Sequence, residues 1–373
     1  MRGTGVASGI KPRGEPDLGL IVTDEPLQWA GTFTRNAAAA ACVKRCRSLL
    51  GEPMRAIVVN SGNANACTGA SGAAAVDTTA ASAAAALSFS SDEILVASTG
   101  PIGVPLPVDL IVRALPAAVA RLSKDVEPFA RSILTTDRAT KTSRAHAGPA
   151  TVVGVAKGAA MLAPRMATML AFLVTDATVD RDELQSHLQQ AVHQTFDRVS
   201  IDACESTNDS VFLLATGAAG PVPPDRLSAA LGIVCADLAE QMVRDAEGGN
   251  KLVRIRVLGA VDDVSAVSMG KAVAASALWR AAVHGADPNW GRVLAALGAA
   301  DRSLNLSEVT IAVGRAIVFA GGEPCSALDA ARAAMQESEI TVTCTVGEGS
   351  ARAEILSADL SPTYVRFNAM ATT

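Results

Sequence analysis

Short apolar runs bounded by turn-forming residues alternate with longer amphipathic or alanine-rich stretches along most of the chain, the pattern of strands interleaved with helices. Strands are expected at 18–22, 29–34, 55–60, 94–97, 150–156, 210–215, 251–258, 309–320 and 339–346, with a buried strand at 169–174. Helices are expected at 73–87, 107–122, 126–134, 181–196, 224–246, 271–283 and 326–336. The clearest is 224–246, where Leu227, Leu231, Val234, Leu238 and Met242 share one face and Gly248-Gly249 ends the run. Both halves show the same interleaving, no 20–50 residue repeat is visible and no low-complexity linker intervenes. The fold class is therefore α/β, layered, with two lobes and no clean boundary.

With 373 residues, 49% of them hydrophobic and 18% charged, the chain builds a sizeable core, as one large domain or two intimately packed ones. A net charge of −5, and the lack of a basic stripe with interleaved aromatics, exclude nucleic acid as a partner. Seven cysteines (Cys42, Cys46, Cys67, Cys204, Cys235, Cys325 and Cys344) form no CxxC pair, and only four histidines accompany them. They read as reduced thiols, mostly core fillers, with neither a metal site nor a cofactor expected. The N-terminus lacks the apolar segment of a signal peptide and no apolar run reaches membrane length, so a soluble, cytoplasmic protein is expected.

Candidate chemistry centres on 157–176, KGAAMLAPRMATMLAFLVTD, where Thr168 stands directly before the buried strand. A threonine hydroxyl needs a base, and one solution is to make the threonine N-terminal so that its own α-amine serves. Thr168 is internal and would reach that state only if its Oγ attacked the Ala167 carbonyl and water completed the cut. Strand ends supply further polar loops. Residues 55–60 run into Asn60-Ser61-Gly62-Asn63-Ala64-Asn65-Ala66, and 94–97 into Ser98-Thr99-Gly100-Pro101, a loop able to present a hydroxyl and an N–H to an oxyanion. Glu247, at the end of the 224–246 helix, is expected to have a raised pKa because the helix dipole disfavours a carboxylate there.

The central segment resembles the cleavage segment of the ornithine acetyltransferase (glutamate N-acetyltransferase) family. The similarity recurs at NSGNANACTG (60–69), ASTGPIG (97–103), TTD (135–137), STND (206–209), EGGNK (247–251), DPNWGR (287–292) and YVRFNAMATT (364–373). It implies an αββα-type sandwich shared with a class of self-processing aminopeptidases. It also implies self-cleavage between Ala167 and Thr168 into chains 1–167 and 168–373, one intimately packed unit assembling as a heterotetramer. Thr168 would be the nucleophile, Thr99 and Gly100 the oxyanion hole, and Glu247 the acid/base group. Thr135 or Thr136, Lys157, Thr168, Glu247, Asn368 and Thr373 would bind substrate. The implied reaction moves an acetyl group from N-acetylornithine to glutamate by a ping-pong route, with acetyl-CoA a further candidate donor. Arg165, Arg138-Ala139-Thr140-Lys141 and Ala203-Cys204-Glu205 depart from the family's usual residues. They keep open an N-acyltransferase acting on another amine; a self-processing amidase is the other alternative.

Overall fold

The computed structural model describes residues 1–161 and 169–370. The first half contains β1 (Arg2–Val6), β2 (Leu18–Phe33), α1 (Ala41–Ser48), β3 (Met54–Ser61), α2 (Gly69–Leu87), β4 (Ile94–Thr99), α3 (Val108–Ala120), α4 (Glu127–Ser132), β5 (Lys141–Ala147) and β6 (Ala150–Lys157). There follow β7 (Leu170–Thr178), α5 (Arg181–Gln194), β8 (Ser210–Pro221), α6 (Pro224–Arg244), β9 (Leu252–Ala260), α7 (Asp263–Ala275), α8 (Ala277–His284) and α9 (Trp290–Ala300). The chain closes with β10 (Thr310–Val313), β11 (Ala316–Ala320), β12 (Glu323–Pro324), α10 (Leu328–Ala334), β13 (Glu339–Thr345), β14 (Ala351–Ala358) and α11 (Pro362–Met370).

An eight-stranded sheet runs β4-β3-β2-β8-β7-β6-β5, with β1 added on β2; a six-stranded sheet runs β12-β11-β10-β13-β9-β14. Helices α1 to α4 share one core with β1, β3, β4 and most of β2, which also takes in one side of β6 to β8; α5 and α6 pack on the other side of β5 to β8, and α7 to α10 cover one face of the small sheet. This is the layered α/β sandwich expected from the interleaved pattern. Among the described residues no helix is long and apolar enough to cross a membrane. All seven cysteines are free; Cys42, Cys46, Cys235 and Cys344 are buried, whereas Cys67 and Cys204 are exposed.

Several boundaries differ from the sequence pattern for identifiable reasons. The expected strands 18–22 and 29–34 are one strand, β2, with an irregularity between Val22 and Leu27. Its first half pairs with β3 and its second with β8, so the polar Asp24-Glu25-Pro26 stretch marks a change of partner rather than an end. The expected helix 271–283 breaks at Ser276, whose hydroxyl caps α8 by accepting the Trp279 N–H at 3.2 Å. The expected strand 309–320 is the hairpin β10–β11, turning through Gly314 at φ +59°. Strands β1, β5 and β14 carry too few consecutive apolar residues to stand out in sequence; β5 is KTSRAHA, whose inward positions after Lys141 are alanines.

The scarce aromatic residues concentrate where the helical cover meets the sheet. Phe172 of β7 stacks on Phe212 of β8 at 5.4 Å and meets Phe129 of α4 edge-on at 5.0 Å, while Trp29 lies 6.0 Å from Phe212. These rings bind strands of both chain halves into one core. Phe172→Ala is expected to lower unfolding free energy by about 3–5 kcal/mol, measured by chemical denaturation. A loss below about 1 kcal/mol would show that the ring cluster is not a principal contact between the halves.

Candidate active site

The registers group the carboxyl ends of β3 and β4, with Ser61 opposite Thr99, and group the end of β6 with the starts of β7 and β8, with Lys157 opposite Leu170 and Leu170 opposite Ser210; Asn208, just before β8, joins the two groups through the Ala64 and Ser98 carbonyls. A cleft of about 460 Å³ opens there. Thr99, Gly100, Thr135, Thr136, Lys157, Glu247 and Asn368 all line it, although they come from widely separated stretches of the chain. Ala167, Thr168 and Thr373, together with Arg165, lie outside the described residues.

The Thr99-Gly100 wall is fixed by a buried polar knot. Asn60, Asn63 and Asn65 are buried rather than displayed on a surface turn. Asn60 joins the Ser98 hydroxyl (2.7 Å) to the Asn63 carbonyl (2.8 Å), and Asn208 donates to the carbonyls of Ala64 (2.6 Å) and Ser98 (2.9 Å). β4 runs two residues further than 94–97, so Thr99 ends the strand and its carbonyl accepts the Asn63 N–H at 3.0 Å. Because a trans peptide places C=O and N–H on opposite sides, this bond turns the Gly100 N–H away from the asparagine loop. Gly100 has φ +139°, and an added Cβ would sit 2.4 Å from the Asn63 nitrogen, so only glycine fits.

The opposite wall is built on charge. The Asp137 side chain is fully buried, receives the Lys141 ammonium at 2.6 Å, and accepts the Gly158 N–H at 2.7 Å and the Thr135 N–H at 3.1 Å. Burial pushes this carboxyl up, but Lys157 and Lys141 more than offset that and hold it below the usual range. Lys141 also reaches Asp245 at 2.6 Å. Lys157 donates to the Thr135 hydroxyl at 3.2 Å; burial lowers its pKa, opposed by Asp137 and Asp209. Asp209, entirely buried, accepts the Met169 N–H at 2.9 Å, and burial raises its pKa well above the ordinary value.

Glu247 does not end the helix. α6 stops at Arg244, and the Glu247 N–H is drawn to the Ala159 carbonyl at 2.9 Å, just beyond Lys157. Its pKa is raised as expected, by burial first and by Asp202 and Asp137 next, with hydrogen bonds from Thr136 and Asn368 opposing. Asn368 of α11 donates to its Oε2 at 3.1 Å. Gly248, at φ +63°, lets α11 approach, since a Cβ there would lie 2.4 Å from the Tyr364 nitrogen. Tyr364 itself lines the cleft.

Sequence reasoning missed Lys11, Glu15, Asp202 and Tyr364 as lining residues. Asp202 heads the polar loop 202–209 that runs into β8 and Tyr364 opens the 364–373 block, but neither residue type carries a chemical signal of its own there, and Lys11 and Glu15 lie in an ordinary charged turn. Of the departing Ala203-Cys204-Glu205 tripeptide, Cys204 lines the cleft. The DPNWGR turn does not: Asn289 caps α9, Trp290 stacks on Phe319 at 4.9 Å and Arg292 reaches the Leu278 carbonyl at 2.6 Å, all beside the small sheet.

A loop whose Gly100 N–H is turned away from the asparagine knot, a buried ammonium and a glutamate of raised pKa, all lining one pocket, are parts that acyl-transfer chemistry can use. Residues 2–373 match the ArgJ family. The arginine biosynthesis bifunctional protein ArgJ of Thermus thermophilus is 42% identical over 375 residues, covering 100% of this chain and 98% of its own length. Its counterpart from Thermobifida fusca is 41% identical over 372 residues, covering 99% and 97%. A crystal structure of the arginine biosynthesis bifunctional protein ArgJ from Bacillus halodurans matches with a TM-score of 0.52 at 33% identity, over 54% of this chain and 98% of that one. The chain belongs to the ArgJ family and is an acetyltransferase of arginine biosynthesis.

The buried charge cluster yields a stability prediction. Asp137→Asn leaves Lys141 and Lys157 facing a neutral amide and is expected to cost about 3–5 kcal/mol. Because the folded-state pKa of Asp137 is depressed, its contribution is complete above the unfolded value and is lost as pH falls through the folded one. Denaturation of both proteins across acid pH should therefore show the wild-type advantage shrinking toward low pH; an advantage independent of pH would contradict the assignment.

Proposed function

We propose that the cleft transfers an acetyl group from N-acetylornithine to glutamate through an acyl-threonine at Thr168, exposed by self-cleavage after Ala167. The observation that carries this reading is the convergence of Thr99, Gly100, Thr135, Thr136, Lys157, Glu247 and Asn368 on one cleft. The match to the Bacillus halodurans structure supports the cleavage: 98% of that chain corresponds to 54% of this one, and 168–373 is 206 of the 373 residues here. Cleavage would not separate the products, because β2 and β6 of the first chain hydrogen-bond to β8 and β7 of the second. Two such pairs would make the expected heterotetramer.

In this mechanism the Thr168 α-amine takes the hydroxyl proton as Oγ attacks the acetyl carbonyl. The Gly100 N–H and Thr99 hold the oxyanion. Glu247 protonates the departing ornithine amine and later takes a proton from the glutamate amine that attacks the ester. Lys157 with Thr135 receives the substrate α-carboxylate, while Thr136, Asn368 and Thr373 complete the pocket. Acetyl-CoA as a second donor would account for the word bifunctional in the names of the relatives. Cys204 in the cleft wall keeps another acceptor amine in play, which an assay with competing amines resolves.

Intact mass of freshly purified protein should show two fragments, 1–167 and 168–373, and Thr168→Ala should remain whole. A single uncut wild-type chain would sink the reading. Thr99→Ala should lower kcat on the order of 100-fold with a smaller effect on KM. Because the Glu247 pKa lies above its ordinary 4.5, the acceptor half-reaction, in which it acts as base, should fall on the acid side around that raised value as the carboxylate is protonated. Glu247→Gln should remove this limb and reduce transfer at least about tenfold, roughly 1.4 kcal/mol; an unchanged pH profile would exclude Glu247 as the proton carrier.

A further inference from the structure

Lys11 and Glu15 flank the short turn Pro12–Gly14, and both line the cleft. The Lys11 ammonium donates to the Pro16 carbonyl at 3.0 Å and to the Leu134 carbonyl at 2.5 Å, the residue before Thr135. Asp17, wholly buried, fixes the loop by accepting the N–H groups of Ser8 (2.5 Å), Gly9 (3.1 Å) and Lys11 (2.8 Å). The ammonium is thus anchored, with one of its three protons left over. Burial lowers its pKa, while Asp17, Glu15 and Asp137 act to raise it. A partly desolvated cation of this kind gains more from a carboxylate than one in water does.

The proposed donor and acceptor share an α-carboxylate and an α-nitrogen and differ at the far end, where ornithine carries an ammonium and glutamate a carboxylate. An enzyme that works on the α-nitrogen of both must house each tail in turn. One fixed cation and one carboxylate side by side meet that need, because each tail finds its opposite charge. We infer that, given the transfer reading, Lys11 receives the side-chain carboxylate of glutamate and Glu15 the side-chain ammonium of ornithine, so that this turn reads the substrate's tail.

The test compares Lys11→Gln, which keeps N–H donors for the two carbonyls, with Glu15→Gln at an exposed position. For each, kcat/KM is measured with glutamate against glutamine as acceptor, and with N-acetylornithine against N-acetylnorvaline, which lacks the side-chain amine, as donor. These ratios do not depend on the fraction of folded enzyme. Lys11→Gln should reduce the glutamate preference roughly tenfold, more than it alters the donor ratio, and Glu15→Gln should do the reverse. Should Lys11→Gln fail to fold, the Glu15→Gln ratios still decide. Unchanged ratios, or both ratios falling together in each variant, would overturn the inference. Wild-type enzyme transferring no acetyl group between the two proposed substrates would instead overturn the transfer reading, and this assignment with it.

Discussion

One fully buried carboxylate, Asp137, sets the geometry of half the cleft. An ionised group removed from water is tolerable only when charge and hydrogen bonds replace its hydration. Asp137 obtains them from Lys141, from the Gly158 N–H and from the Thr135 N–H, with Lys157 adding its charge. Satisfying it therefore fixes three things together: the turn bearing Thr135 and Thr136, the end of β6 bearing Lys157, and, through the Lys141–Asp245 contact, the chain just before Glu247. Groups that would bind a carboxylate and move a proton are placed by the needs of a residue behind them.

The other half depends on backbone rather than charge. Asn60 and Asn208 take up the carbonyls of Asn63, Ala64 and Ser98 and the Ser98 hydroxyl, while Asn63 donates to the Val104 and Pro105 carbonyls, and together they satisfy an irregular buried loop. That loop captures the Thr99 carbonyl and leaves the Gly100 N–H facing the other way. Donors held this way need no reorganisation when charge develops, which is the physical basis of oxyanion stabilisation. Asp209 performs a related task at the start of β7, holding the Met169 N–H beside the residue on which the chemistry is proposed to occur.

Elements with strong periodicity were legible in sequence. The apolar face of α6 and the buried runs of β3, β7 and β8 needed no structural help, because period and length agree with burial. Pattern failed where one or a few residues change the path: the partner switch in β2, the Ser276 cap between α7 and α8, and the Gly314 turn. The site was legible only through the resemblance, since a lone threonine, a Thr-Gly pair and a helix-end glutamate each have ordinary explanations. Even there the physics shifted. Glu247 owes its raised pKa to burial and neighbouring carboxylates, a tertiary fact that no spacing reveals. Lys11 and Glu15 were invisible because nothing in a charged N-terminal turn signals that it folds over a cleft formed by residues spread from Gly62 to Asn368.

The central claim, that the acetyl group resides covalently on Thr168 between donor and acceptor, is tested most directly by intact mass spectrometry during turnover. Enzyme mixed with N-acetylornithine alone should carry one acetyl group on the fragment 168–373, located on its first residue, and should lose it when glutamate is added. No acetylated fragment under conditions where transfer proceeds, or an acetyl group carried by 1–167, would contradict the account.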